Sequence, residues 1–193
     1  MSDNIDDAEL HQIVQRVLGK VTGGKEPDQT VPTPPTQPAV TSGKKVVAIG
    51  ADHGGFELKG FLKTEISSLG FDVTDIGTNN KDAVDYPDFA HAVAQLVSTG
   101  KAWRGIMIDG AGIGSCIVAN KIPGVRAGMA YDVSSANNSR EHNDTNVLTL
   151  GAGLIGVNLA KQIVKVWLTT EFGGGRHQKR LDKIKSVEKQ YLK

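Results

Sequence analysis

The sequence predicts an α/β fold: a five-stranded parallel sheet covered by helices on both faces, a three-layer αβα sandwich preceded by a tethered helix and a linker. Three observations carry this. From Lys44 onward, short apolar runs alternate with longer segments of helical periodicity. A Gly-rich turn, Asp109-Gly110-Ala111-Gly112-Ile113-Gly114, joins one of these runs to a helix. Before Lys44, prolines 32, 34, 35 and 38 stand among Thr, Gln and Ser, the composition of an extended linker.

Residues 1–22 read as an amphipathic helix. Leu10, Ile13, Val14, Val17, Leu18 and Val21 recur at three- and four-residue spacing. Asp3, Asp6, Asp7 and Glu9 stand early and Arg16 and Lys20 late, in line with the helix dipole. A helix this short needs a partner surface for its stripe. Residues 23–43 are the Pro/Gly-rich linker, and residues 44–193 the folded domain.

In the domain, Lys45–Ile49 is a first buried strand, and a helix follows through Leu58, Leu62 and Ile66. Gly70 closes that helix, and Phe71, Val73 and Ile76 mark a second strand. Asp85-Tyr86-Pro87 opens a helix with Phe89, Val93 and Leu96 on one face. Gly105–Ile108 is the central strand, Val125–Ala130 a fourth, and Val147–Leu150 a fifth, with a helix over Val133–Glu141 between the last two. A helix from about Gly156 to Leu168 and a basic one from about Gln178 complete the chain.

The chain has 193 residues, a net charge of +1 and one cysteine. The near-neutral charge gives no support for nucleic-acid or membrane-surface binding. A single cysteine excludes an intrachain disulfide framework and fits a reducing cytoplasm. No apolar stretch is long enough to span a bilayer, and no Cys/His cluster has metal-ligand spacing.

In a parallel sheet ligands bind at the carboxyl ends of the strands, where Asp52, His53 and Asp109 are expected. The turn after the central strand provides glycines that admit a ligand to the backbone, and N–H groups of a first helical turn that point at it. An acid beside such a nest can take a proton from carbon while the nest holds the charge that appears on oxygen. The same turn also fits a plain nucleotide-binding loop. His53 and His142 each adjoin a carboxylate or amide, and both are expected at the binding edge, as proton shuttles or as surface and capping residues. Arg176 and Arg180 lie one helical turn apart after three glycines, a pair able to grip phosphate or to form a solvated basic face.

Several stretches together resemble the type B ribose-5-phosphate isomerase family, which includes the galactose-6-phosphate isomerase subunits. They are Gly50–Phe56, Asp85-Tyr86-Pro87, Gly110–Gly114, Ala119-Asn120-Lys121, Arg140–Asn146 and Gly174–Gln178, within a match from about Lys45 to Lys185. The resemblance implies a Rossmann-like fold, a homodimer or tetramer with active sites shared between subunits, and no metal or organic cofactor. It implies that His142 and Asp52 open the sugar ring with Tyr86 nearby. It further implies that His53, Arg176 and Arg180 hold the phosphate, the arginines from the other subunit. Asn143 and the backbone of Gly110, Gly112, Ile113 and Gly114 would stabilise the enediolate. The detached helix and linker resemble the encapsulation peptides of bacterial microcompartments, which implies a shell-protein partner for residues 1–22. The stripe also fits packing on the domain itself or on a dimer partner.

The chain departs from that family at several positions. Asp109 stands where most members carry a cysteine base, and Ala111 where they carry a threonine. Gly153 replaces an arginine, and Ser115 stands where some members use a glutamate. Cys116, seven positions past Asp109, reads as a small apolar residue rather than the family cysteine. The expectation is an aldose–ketose isomerase, most simply of ribose 5-phosphate, with Asp109 as base. The alternatives are another phosphorylated sugar such as galactose 6-phosphate, or a partner-dependent sugar-phosphate-binding subunit.

Overall fold

The computed structural model describes residues 43–192. The helix read over residues 1–22 lies outside the described residues, as does all of the linker before Gly43. Strands β1 (Val46–Ala51), β2 (Asp72–Gly77), β3 (Arg104–Asp109), β4 (Ala127–Met129) and β5 (Val147–Gly151) alternate with helices. These are α1 (Phe56–Ser68), α2 (Tyr86–Ser98), α3 (Ile113–Ala119), α4 (Val133–Asn143) and α5 (Val157–Thr169), and α6 (Arg176–Tyr191) ends the fold. The strands pair in the order β2-β1-β3-β5-β4, all parallel.

β3 and β5 are buried at every residue, as continuous apolar strands covered on both faces are. On one face α2 and α3 pack on the sheet, with Val93 and Val97 of α2 clustered with Ala48 of β1 and Val147 of β5. Gly105 brings α2 directly onto β3, since a Cβ there would stand 2.7 Å from Val93 Cγ1. On the other face α1, α4 and α5 cover Ile49, Ile106 and Leu148, with Leu62 of α1 and Trp167 of α5 in the same core. Fully burying an aliphatic side chain of this size contributes about 1.5–3 kcal/mol. Among the described residues no helix is long and apolar enough to cross a membrane.

Two boundaries differ from the sequence pattern. The fourth strand shrinks to three residues because side-chain amides take the backbone N–H groups at its start. Arg126 donates to Asn146 Oδ1 at 2.7 Å and Ala127 to Asn120 Oδ1 at 2.9 Å. The last helix begins at Arg176, two residues before the expected start. Gly174 and Gly175, with φ of 58° and 52°, turn the chain straight into it.

The order of the strands reverses between β1 and β3. The crevice outside the carboxyl ends of those two strands is therefore where such a sheet binds ligand. The opposite, amino edge matters as well. α4 starts after β4, where Asp132 caps it by accepting the Ser135 N–H at 2.7 Å. It then descends to the start of β5, so His142 and Asn143 stand at the amino edge. The expectation that His53 and His142 share the binding edge of one chain is thus corrected. A helix joining two parallel strands must end where the next strand begins.

Candidate active site

At the carboxyl edge, the Asp52 N–H continues the sheet by donating to Ile108 O at 3.1 Å. Its carboxylate accepts the Gly55 N–H at 3.0 Å and is almost fully buried. Gly55 admits this turn against β3, because a Cβ there would lie 2.5 Å from Ile108 O. His53 is exposed, with Nδ1 at 3.2 Å from Val84 O and 3.3 Å from Val84 N, so its tautomer decides whether it donates or accepts. That contact ties the end of β1 to the loop that delivers Tyr86. Tyr86 lies against the Gly-rich turn so closely that a Cβ on Gly114 would stand 2.4 Å from its Cζ.

Asp109 ends β3 and is buried, with 4% of its surface exposed. Its Oδ1 accepts the Ala111 N–H at 2.8 Å and the Gly112 N–H. Its Oδ2 accepts the Ser115 N–H at 3.1 Å and the Ser115 hydroxyl at 2.5 Å. Four donors occupy the four lone-pair sites of a carboxylate. Asp109 therefore also orders the turn and the start of α3, for which Gly112 adopts a left-handed φ of 79°. The nest is correspondingly smaller than the sequence suggests. The N–H groups of Ala111, Gly112 and Ser115 face Asp109, while those of Gly110, Ile113 and Gly114 have no partner among the described residues.

The neighbouring departures share this edge. Gly153 donates its N–H to Gly110 O at 3.0 Å, and a Cβ there would stand 3.1 Å from the same oxygen. The Cys116 thiol is half-buried 3.6 Å from Ala127 O, and burial pushes its pKa up, so it offers no ready thiolate. Among the described residues no three His, Cys, Asp or Glu side chains form a metal-ligand group.

The amino edge holds the other expected residues: His142, Asn143, Arg176 and Arg180. Asn143 and both arginines are exposed. His142 stacks on His177, the rings 4.0 Å apart and 9° from parallel. The segment between α5 and α6 is fastened to α4 by the Gly173 N–H on Glu141 O at 2.9 Å and by Arg140 Nε on Thr170 O at 3.3 Å. Buried Arg104 donates to the final carbonyls of α5, Trp167 O at 2.6 Å and Leu168 O at 3.0 Å, and stacks 4.0 Å from the Trp103 ring. Burial, with Arg140 nearby, brings its pKa down to about 9. Burial also lowers the pKa of Arg140, against the pull of Asp144 at 2.8 Å.

One chain therefore assembles Asp52, His53, Tyr86, Asp109, Gly110, Gly112, Ile113 and Gly114 at one edge, and leaves His142, Asn143, Arg176 and Arg180 at the other. Sequence reasoning missed Ser115, whose hydroxyl completes the Asp109 environment, and His177. The spacing of six from the acid to a serine in the first turn of a helix was the available sign of the first. A histidine between two arginines after a glycine run was the sign of the second.

A doubly wound parallel sheet with carboxylates, an imidazole and free amides at its switch point defines an α/β enzyme for a small, polar substrate. The chain belongs to the ribose/galactose isomerase family, whose model matches residues 47–184, and its class is aldose–ketose isomerase. It is 44% identical over 144 residues to ribose-5-phosphate isomerase B of Escherichia coli, a match covering 75% of this chain and 97% of that one. It is 41% identical over 145 residues to D-erythrulose-4-phosphate isomerase of Pectobacterium atrosepticum, covering 75% and 95%. The structure resembles ribose-5-phosphate isomerase B of Clostridium thermocellum at a TM-score of 0.74 and 46% identity, covering 76% of this chain and 99% of that one.

Proposed function

We propose that the chain interconverts ribose 5-phosphate and ribulose 5-phosphate through an enediolate, in active sites completed by a second copy of the chain. The observation that carries this reading is the set of unpartnered N–H groups on Gly110, Ile113 and Gly114, framed by Asp52, His53, Tyr86 and Asp109. Asp109 takes the proton from C2 of the open aldose. The C–H electron pair becomes the C1–C2 double bond, and the carbonyl pair moves onto O1, where the free amides meet the charge. A proton then passes from the C2 hydroxyl to O1. The O2 electron pair re-forms the carbonyl at C2, and the C1–C2 double-bond pair takes the proton from Asp109 at C1 to give the ketose. Proton uptake on Oδ2 requires one donor to yield, and the Ser115 hydroxyl is the one that can rotate to accept instead.

His142 with Asp52 opens the ring, Asn143 steadies the enediolate, and His53, Arg176 and Arg180 hold the phosphate. Because the two sets occupy opposite edges of one chain, a homodimer or tetramer supplies His142, Asn143 and the arginines from a neighbour. Residues 1–22 direct the enzyme to a microcompartment shell within the cytoplasm. The apolar stripe and the Pro-rich linker support this, and deletion of residues 1–43 should abolish shell association while leaving turnover unchanged.

The test follows C1 and C2 protons by NMR in deuterated water with a panel of aldose and ketose phosphates. Exchange and isomerisation of ribose 5-phosphate is the expected result. Preference for a four-carbon ketose phosphate, the second reading, is favoured by the Pectobacterium relative named for that substrate. Silence across the panel would overturn both and favour a partner-dependent binding subunit.

A further inference from the structure

We propose that His177 is a positioning residue that sets the ring plane of His142 and the guanidinium of Arg176 together, linking ring opening to phosphate grip. This rests on the reading of His142 and Arg176 as site residues. His177 is 8% exposed, although its helix neighbours Arg176 and Arg180 are exposed. Its imidazole stacks on His142 at 4.0 Å and 9°, leaving the His142 ring a single plane on that side. Its Nε2 faces Arg176 Nε at 3.4 Å, an arrangement that is bonding only if Nε2 is unprotonated and accepts. The remaining nitrogen, Nδ1, is buried without a partner among the described residues.

The backbone holds the stack from both sides. The Gly173 N–H bonds to Glu141 O, next to His142, at 2.9 Å, and a Cβ on Gly173 would lie 3.8 Å from His177 Cδ2. The His177 N–H in turn donates to Gly174 O at 2.9 Å. The groups facing the ring disfavour its charged form. Burial lowers its pKa first, then His142, Arg176 and Arg180, while Glu141 alone raises it. Protonation would also set a second N–H against the Arg176 guanidinium.

The test compares His177→Ala with His177→Phe in the full chain. The readouts are the ring-current shift of His142 Hε1, the kcat and KM for ribose 5-phosphate, and inhibition by inorganic phosphate. His177→Phe keeps a flat ring but no acceptor. It should retain the His142 shift and kcat while KM and the phosphate inhibition constant rise about tenfold. His177→Ala should lose the shift and also lower kcat on the order of tenfold or more. An unchanged His142 shift and wild-type kinetics in His177→Ala would overturn the proposal. So would a folded His177→Phe with the kcat of His177→Ala. A wild-type protein inactive on ribose 5-phosphate would instead refute the substrate reading, leaving the His142 shift and phosphate affinity to judge His177.

Discussion

Asp109→Asn separates the base role proposed for this carboxylate from the ordering of the Gly-rich turn by its hydrogen bonds. The amide keeps one oxygen, which can go on accepting the Ala111 and Gly112 N–H groups. The other oxygen becomes an NH2 donor facing the Ser115 N–H and hydroxyl. The hydroxyl can turn to accept, but the Ser115 N–H, on a residue with no exposed surface, is left without a partner. A buried donor so orphaned costs about 1–3 kcal/mol. At roughly 2–4 °C per kcal/mol for a domain of this size, the melting temperature should fall by about 2–12 °C. Loss of a general base should lower turnover by about 10²–10⁴-fold in protein that is still folded at the assay temperature. Thermal unfolding and deuterium exchange at C2, measured on the same preparation, test both. Full turnover would eliminate Asp109 as the base, and an unchanged melting temperature would show that its four hydrogen bonds are not made.

Other perturbations address the remaining geometry. Gly114→Ala sets a methyl where the end of the Tyr86 ring lies, so that ring must shift. Calorimetry should find a loss of about 1–3 kcal/mol, and kcat/KM should drop about tenfold. Co-assembling Asp52→Asn with His142→Ala should restore about a quarter of wild-type activity, since half of randomly mixed dimers then carry one intact site. Two inactive parents that stay inactive when mixed would exclude shared sites. A pH series tests the His177 environment formed by His142 and Glu141 of α4 with Arg176 and Arg180 of α6. Its folded pKa lies below the ordinary 6.5, so the unfolded chain takes up the proton first. The stability it contributes is present above pH 6.5 and is lost as pH falls below it. His177→Phe should flatten that part of the melting-temperature profile, and an unaltered slope would contradict the assignment.

The layers and strands of the domain were legible because buried strands and amphipathic helices write their periods directly into the sequence. Ile106-Met107-Ile108 and the Leu58, Leu62, Ile66 series leave little choice of element. What periodicity does not encode is direction. The Arg140–Asp144 stretch looks equally functional whichever edge it occupies, and only the parallel pairing of β4 with β5 sends His142 to the amino edge. Side-chain commitments are hidden for a related reason. Asp109 reads as an available acid until the left-handed Gly112 folds the turn back and aims its amides at the carboxylate.

These two corrections bear on each other. With Asp109 held by its own turn and only His53 of the proposed phosphate ligands at the same edge, a single chain has a nest and a restrained carboxylate but little to orient a sugar. The residues able to orient it are arranged with equal care 
at the far edge, on a stacked histidine pair and a glycine-set helix start. On the proposed reading a symmetric pair uses both half-sites, because a two-fold axis that brings one edge of the first copy to the opposite edge of the second would complete both at once. Turnover should therefore fall on dilution below the dimer dissociation constant, in step with the oligomer fraction measured by sedimentation. Full specific activity in the monomer would break the argument.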